Sequence, residues 1–225
     1  MPRFPAGTTS LLSKYLTQKV WNDLKDKKDK FGFSFKQCIF SGCRNTDSGI
    51  GVYAGSHDSY YTFSDFFDKI IEDYHGHKKT DKHVFDMDYN NLNCPDFAED
   101  EDAMILSTRI RVARNMANYP LGSAVTRAQR KEIENHVINA TQKFTGELKG
   151  KYYSLATMSK ADQDQLIADH FLFKRGDRFL EYSFLNRDWP EGRGIFHNDN
   201  KTFLIWVNEE DQLRIISMQP GSNIR

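Results

Sequence analysis

Cysteine is scarce in this chain. Three occur in 225 residues, Cys38, Cys43 and Cys94. The number is odd and no Cys-x-x-Cys pair is present, which argues against a disulfide framework and against a zinc site. Free thiols in a reduced, cytoplasmic compartment are the expectation. Long apolar runs are missing too. None approaches the roughly 20 residues of a membrane-spanning helix, and Met1-Pro2-Arg3-Phe4 leads into no apolar signal segment. A membrane partner is therefore not expected. Nor is there an excess of either charge, with 31 basic and 31 acidic residues. A dedicated nucleic-acid binder would carry a basic surplus. A local pocket for a small anion needs only a few arginines.

Familiar phosphate-binding signatures are absent as well. There is no G-x-x-x-x-G-K-[ST] loop and no protein-kinase signature set. The stretch SGIGVYAG is glycine-punctuated, but no helix follows its glycines at once, as a dinucleotide fingerprint requires. Its glycines allow close backbone approach to something small. No internal repeat is visible.

The patterns that are present imply an α+β protein. Residues 10–28 read as helical. The clearest helix follows the glycine loop 47–55, with Phe63, Phe66, Phe67, Ile70, Ile71 and Tyr74 on one face. Thr62 or Ser59 would cap it, and His75-Gly76-His77 would end it. Residues 76–102 turn polar and acidic, which is the composition of a linker. A domain boundary is placed near residue 95, between a small all-helical unit (1–90) and a larger unit (104–225), with 91–103 as the link. In the larger unit, 104–115 begins as a strand. Thr126 and Gln129 form a capping-box signature, ahead of an apolar face of Ile133, Val137, Ala140 and Phe144. Residues 151–158 read as a strand, and Ser159 would cap a short helix through Ile167. The runs HFLF and RFLEYSFL also read as strands. The strongest strand signal is the closing hairpin, 203–207 and 212–218. Strands here meet through turns rather than alternating regularly with crossover helices, which is the α+β class.

Several residues could carry chemistry. Arg109 and Arg111 alternate in STRIRVAR, so a strand points both to one face. They are either two solvated surface arginines or a fork for phosphate oxygens. Arg214, flanked by Leu213 and Ile215, is not explained by core packing and either faces water or serves a site. Glu209 and Glu210 form a hairpin tip, or one of them grips a cation or takes a proton. His170 could simply complement a helix end. His197, beside Asn198, Asp199 and Asn200, could simply belong to a turn. Neither histidine belongs to a zinc pair, and no metal-ligating residues are assigned.

Taken together, STRIRVAR, DHFLFKRGDRFL, GRGIFHNDNKTFLIWVNEEDQLRIISMQ and FFDKIIEDYH resemble the ATP:guanidino phosphotransferases, the phosphagen kinases. The resemblance runs from about Leu11 to Gln219, and its NEED hairpin is highly specific. It implies a small helical domain followed by an antiparallel sheet flanked by helices. It also implies reversible transfer of the γ-phosphoryl of MgATP to a guanidino nitrogen, for energy buffering. Carried over by position, Ser107, Thr108, Arg109, Ile110 and Arg111 fall in the nucleotide-binding motif, with His170 and Arg214. Glu210 matches the catalytic carboxylate that holds the substrate guanidinium. Ser48, Gly49, Ile50, Gly51, Val52 and Tyr53 match the specificity loop. Asp47 and Arg178 match a pair that ties the two domains together. The resemblance places Mg²⁺ mainly on the ATP or ADP phosphates. The short loop with Tyr53 favours arginine as the acceptor; creatine, taurocyamine and lombricine stay open, as does a monomer or homodimer. Family members continue past RIISMQ with a second substrate carboxylate and a reactive cysteine that the three cysteines here do not replace. Ending in PGSNIR, the chain is thus expected to be an incomplete catalytic domain, or a short form that binds nucleotide or a partner without catalysis.

Overall fold

The computed structural model describes residues 1–224. Its first part is helical: α1 (Leu11–Tyr15), α2 (Gln18–Leu24), α3 (Phe35–Cys38), α4 (Phe40–Arg44), α5 (Ser59–Thr62) and α6 (Ser64–His75). The stretch 10–28, expected to be helical, holds two helices, α1 and α2. The Thr17 side chain accepts a hydrogen bond from the Val20 amide at 3.2 Å and so starts a new helix. The long amphipathic helix α6 is present and ends on Gly76 at φ 66°, a left-handed C-terminal cap. Neither Thr62 nor Ser59 caps it, because both belong to the separate turn α5. Its buried stripe is Phe66, Phe67 and Ile70, with Phe63 just before it, while Tyr74 is exposed. Phe35 meets Phe66 edge-on at 5.1 Å and Phe63 at 5.5 Å. Each such ring, fully buried, stabilises the fold by about 1.5–3 kcal/mol.

Residues 76–106 are mostly exposed and hold a 3-10 turn at Tyr89–Asn91 and one short α-helix, α7 (Glu99–Asp102). Beyond them lie β1 (Ser107–Arg114), α8 (Arg127–Thr141), β2 (Gly150–Ser154), α9 (Lys160–Ala168), α10 (Arg178–Tyr182), β3 (Gly194–Asn198), β4 (Phe203–Val207) and β5 (Leu213–Pro220). The strands form one antiparallel sheet in the order β1-β5-β4-β3-β2. Helix α8 opens with the Thr126–Gln129 capping box and packs Ile133 and Val137 on one sheet face, against Phe196, Ile205 and Val207. Ala140 is exposed instead, and the stripe closes on Thr141. The other face carries Ile195, Leu204, Trp206 and Ile216 under Leu155, Leu172 and Phe173.

Two apolar runs differ from expectation. Residues 171–173 form no strand: His170 takes φ 62° and turns the chain, so that the Phe171 and Leu172 amides donate back to the Leu166 carbonyl. RFLEYSFL opens as helix α10 because Asp177 accepts from the Phe179 and Leu180 amides at 2.9 and 3.2 Å. Among the described residues, no helix is long and apolar enough to cross a membrane, and all three cysteines are free.

The helical unit and the sheet unit meet at a polar and aromatic seam. Arg178 donates to both Asp47 oxygens and, at 3.1 Å, to Asn45. The Ser41 hydroxyl donates to the Phe179 carbonyl at 2.8 Å. Phe40 stacks on Phe184 with ring centroids 5.6 Å apart. The Leu121 amide donates to the Gly55 carbonyl at 2.8 Å.

Candidate active site

Cross-strand register builds the site. Ala113 lies opposite Arg214, Arg214 opposite Trp206 and Arg109 opposite Met218. Directly opposed residues share a sheet face, and so do alternate residues along a strand. Arg109, Arg111 and Arg214 therefore project from the same face, which also carries Trp206. The guanidinium carbons of Arg109 and Arg214 each lie 5.9 Å from the Trp206 ring centroid. An indole face attracts a cation without neutralising it. The Trp206 Nε1–H donates to the Phe171 carbonyl at 2.7 Å, which fixes the ring.

The arginines differ in what satisfies them. Arg214 is held by Glu209 at 2.9 Å, Glu210 at 3.1 Å and Asp211 at 2.8 Å. Burial pulls its pKa down, but these carboxylates outweigh that and leave it raised. Arg109 and Arg111 have no carboxylate partner among the described residues. Partial burial and the charges of Arg111 and Arg214 hold Arg109 below the ordinary arginine value. Like charges gathered without counter-charges make a receptor for an anion.

The tight turn between β4 and β5 presents the carboxylates. Buried Asn208 at φ 55° donates to the Arg130 and Gly192 carbonyls at 3.0 and 2.6 Å and so anchors it. Glu210 is exposed and already grips one guanidinium, that of Arg214. Glu209 is more enclosed, and burial raises its pKa. Facing the turn, the loop 48–53 is held at several points. Gly49 and Ile50 carbonyls accept from the Leu11 and Leu12 amides, and the Tyr53 amide donates to the Cys38 carbonyl at 2.8 Å. Gly51, at φ 83°, packs on Gly42 so closely that a side chain on Gly42 would strike its carbonyl. Ile50 and Val52 turn into the helical core, Ser48 is buried, and Gly49 is exposed. Burial raises the Tyr53 phenol, with Asp177 and Glu210 adding to the effect, so Tyr53 lies within electrostatic reach of the hairpin carboxylate.

Not every expected site residue joins this group. Thr108 and Ile110 face away from the arginines by strand alternation, and Thr108 donates to the Gly221 carbonyl at 2.7 Å. Ser107 is exposed at the start of β1. His170 is exposed, one residue before the carbonyl that holds Trp206. Asp47 and Arg178 lie at the seam. The contribution of Trp206, and of Glu209 and Asp211 as partners of Arg214, was missed from sequence. An aromatic residue inside the NEED strand was the available signal.

Such a molecule combines an α+β fold with a cationic sheet face and a carboxylate-bearing turn, and so can orient an anionic and a cationic group side by side. Residues 132–225 match the profile described as ATP:guanido phosphotransferase, C-terminal catalytic domain, and residues 7–72 match its N-terminal domain. An arginine kinase of Anthopleura japonica is 52% identical over 216 residues, covering 96% of this chain and 30% of that protein. The arginine kinase Lit v 2 of Penaeus vannamei is 51% identical over 216 residues, covering 96% of this chain and 60% of its own length. Among solved structures, a lombricine kinase superposes with a TM-score of 0.90 at 35% identity, over 99% of this chain and 62% of its own. The substrate-free duplicated taurocyamine kinase of Schistosoma mansoni superposes with a TM-score of 0.85 at 35% identity, over 96% of this chain and 31% of its own. The chain belongs to the ATP:guanidino phosphotransferase family. It spans less than two thirds of each of these relatives.

Proposed function

We propose that this chain takes part in the reversible transfer of the γ-phosphoryl group of ATP to a guanidino nitrogen, with arginine as the acceptor. The observation that carries the reading is the unneutralised Arg109–Arg111 pair beside a carboxylate-bound Arg214. Phosphoryl transfer needs little covalent help; it needs aligned reactants and fixed positive charge around the migrating group. Arg109 and Arg111 bind the nucleotide phosphates, together with Arg214, and the Trp206 ring lies beside two of the three cations, Arg109 and Arg214. Ser107 and His170 contribute at the margins of the nucleotide. Glu210 exchanges the Arg214 guanidinium for that of the substrate and orients one nitrogen in line. The loop from Ser48 to Tyr53 holds the rest of the acceptor. The Asp47–Arg178 pair keeps this loop in register with the sheet.

Magnesium would be carried on the nucleotide, where it would offset the charge of the phosphates. The donor set suits this, because the cluster on the sheet face is guanidinium and binds phosphate rather than metal. Arginine is favoured over lombricine or taurocyamine because relatives named arginine kinases are 52% and 51% identical, against 35% for the two other kinases. A reduced, cytoplasmic setting is consistent with three free cysteines.

The test is a coupled ADP-release assay with MgATP and, in turn, arginine, lombricine, taurocyamine and creatine. It is run on the chain alone and on the chain joined to the part of the Penaeus relative that it does not match. Turnover with arginine above the other acceptors supports the proposal. Preference for another acceptor replaces the substrate, and no transfer by either form removes the reading.

A further inference from the structure

Asp29 lies outside both the candidate site and the seam. It is 5% exposed and belongs to the turn between α2 and α3. Its Oδ1 accepts from the Phe31 amide at 3.0 Å and the Phe33 amide at 2.9 Å. Its Oδ2 accepts from the Ser56 hydroxyl at 2.6 Å and the Ser59 hydroxyl at 2.7 Å. Four donors converge on one carboxylate, and no ion pair to it occurs among the described residues.

Both hydroxyls are also engaged as acceptors. Ser59 Oγ accepts from the Gly55 and Ser56 amides at 3.1 and 3.2 Å, and Ser56 Oγ accepts from the Asp58 amide at 3.1 Å. Each therefore directs its single proton at Asp29. Only an ionised carboxylate, which accepts and never donates, completes the arrangement. An amide would fail in both orientations. Its NH₂ would meet either two hydroxyl protons or two backbone N–H groups.

The consequence reaches the candidate site. Gly55 and Ser56 follow directly on the loop 48–53. The Gly55 carbonyl accepts from the Leu121 amide at 2.8 Å, across the seam. Gly122, the next residue, packs so tightly on the hairpin turn that a side chain there would lie 2.8 Å from the Glu210 carbonyl oxygen. Gly55 is itself closed in by Phe33, against whose ring any side chain would collide. One carboxylate thus holds the C-terminal end of the loop, and through Leu121 and Gly122 it meets the backbone of the carboxylate turn.

We propose that Asp29 is a positioning residue that fixes the acceptor loop and its spacing from Glu210, a role that rests on the phosphotransfer reading above. The group acts without touching either substrate.

The experiment uses Asp29→Asn, with Ser56→Ala as a milder variant that removes one of the four bonds and leaves the acceptor of the Gly55 and Ser56 amides in place. Amide hydrogen exchange is read on the 225-residue chain. Acceptor and MgATP kinetics are read on whichever form transfers phosphate in the assay above. The expected result is faster exchange of the Tyr53, Gly55, Ser56 and Leu121 amides, with α6 unchanged. KM for the acceptor rises about tenfold while KM for MgATP stays within about twofold. Ser56→Ala shifts the same amides by less. Unchanged loop exchange overturns the proposal. So does exchange rising equally through α6 in both variants, which marks a purely structural group, and so does an acceptor KM that does not move. If neither form transfers phosphate, the functional reading falls and the role toward substrate falls with it. Selective loop exchange then still shows Asp29 ordering the loop.

Discussion

Asp29 and the Arg109–Arg111 pair are both charged, and the fold treats them in opposite ways. Asp29 is enclosed, with every acceptor position facing a donor of the same unit. Arg109 and Arg111 stand at the rim of the sheet with no counter-charge among the described residues, beside an Arg214 that has three. A buried charge is tolerated only when its partners are complete. A charge left unmatched at a surface is a modest cost to the fold and an available contact for a ligand. The first kind of residue sets shape and the second kind binds. Under the proposed function Arg214 belongs to both, because its carboxylates hold it in place while it shares the sheet face of Arg109 and Arg111.

That division predicts how three arginine variants separate. Arg214→Ala has the largest effect. It removes a ligand cation and leaves Glu209, Glu210 and Asp211 crowded without their common partner. Phosphotransfer is expected to fall by about 10²–10³, and stability by about 1–3 kcal/mol. Arg109→Ala comes next, with a loss of about tenfold or more in MgADP affinity by calorimetry. Its thermal stability stays within about 0.5 kcal/mol of the parent or rises, since repulsion from Arg111 and Arg214 is relieved in a solvent-screened setting. Arg111→Ala behaves like Arg109→Ala. A large stability loss in Arg109→Ala would break the comparison, because it would mean that the fold already uses that charge.

How much of this was legible depends on the range of the interaction. Helix α6 could be read because its stripe repeats over three turns, and β4–β5 because two apolar runs flank a four-residue acidic turn. Residues 171–185 could not. A four-residue apolar run such as HFLF fits a strand or a buried turn equally well, and what decided it was His170 at φ 62°. In RFLEYSFL the aromatic content outweighed a cap, Asp177, just before it. In the site, the shared face of Arg109 and Arg111 follows from period two alone. The arrival of Arg214 beside Trp206 needs the pairing of β4 with β5, and its proximity to Arg109 needs that of β5 with β1. Neither register is written in any one segment. Asp29 was the least legible, since its donors come from positions 31, 33, 56 and 59.

The smallest expected effect concerns the seam, where the two kinds of charge can be compared by pH. The hydrogen bonds from Arg178 hold the Asp47 carboxyl below its ordinary value of 3.8. Its folded pKa is depressed, so its contribution is complete above that ordinary value and disappears as pH falls through the folded one. Glu209 has the opposite sign. Burial raises its folded pKa above 4.5, so its contribution is complete below 4.5 and is lost as pH rises through the raised value. The Asp47–Arg178 pair is open to solvent, with 60% and 54% of the two side chains exposed, so its effect is weak and salt-sensitive. Thermal unfolding followed from pH 7 into acid should therefore show a small loss in the parent below about pH 4. Asp47→Asn should start slightly lower at neutral pH and lack that acid component, and Glu209→Gln should flatten the decline on the alkaline side of pH 4.5. Added salt should bring the parent toward Asp47→Asn at neutral pH. An Asp47→Asn curve parallel to the parent through the acid range would show that Asn45, Ser41 and the Phe40–Phe184 stack hold the seam without the ion pair.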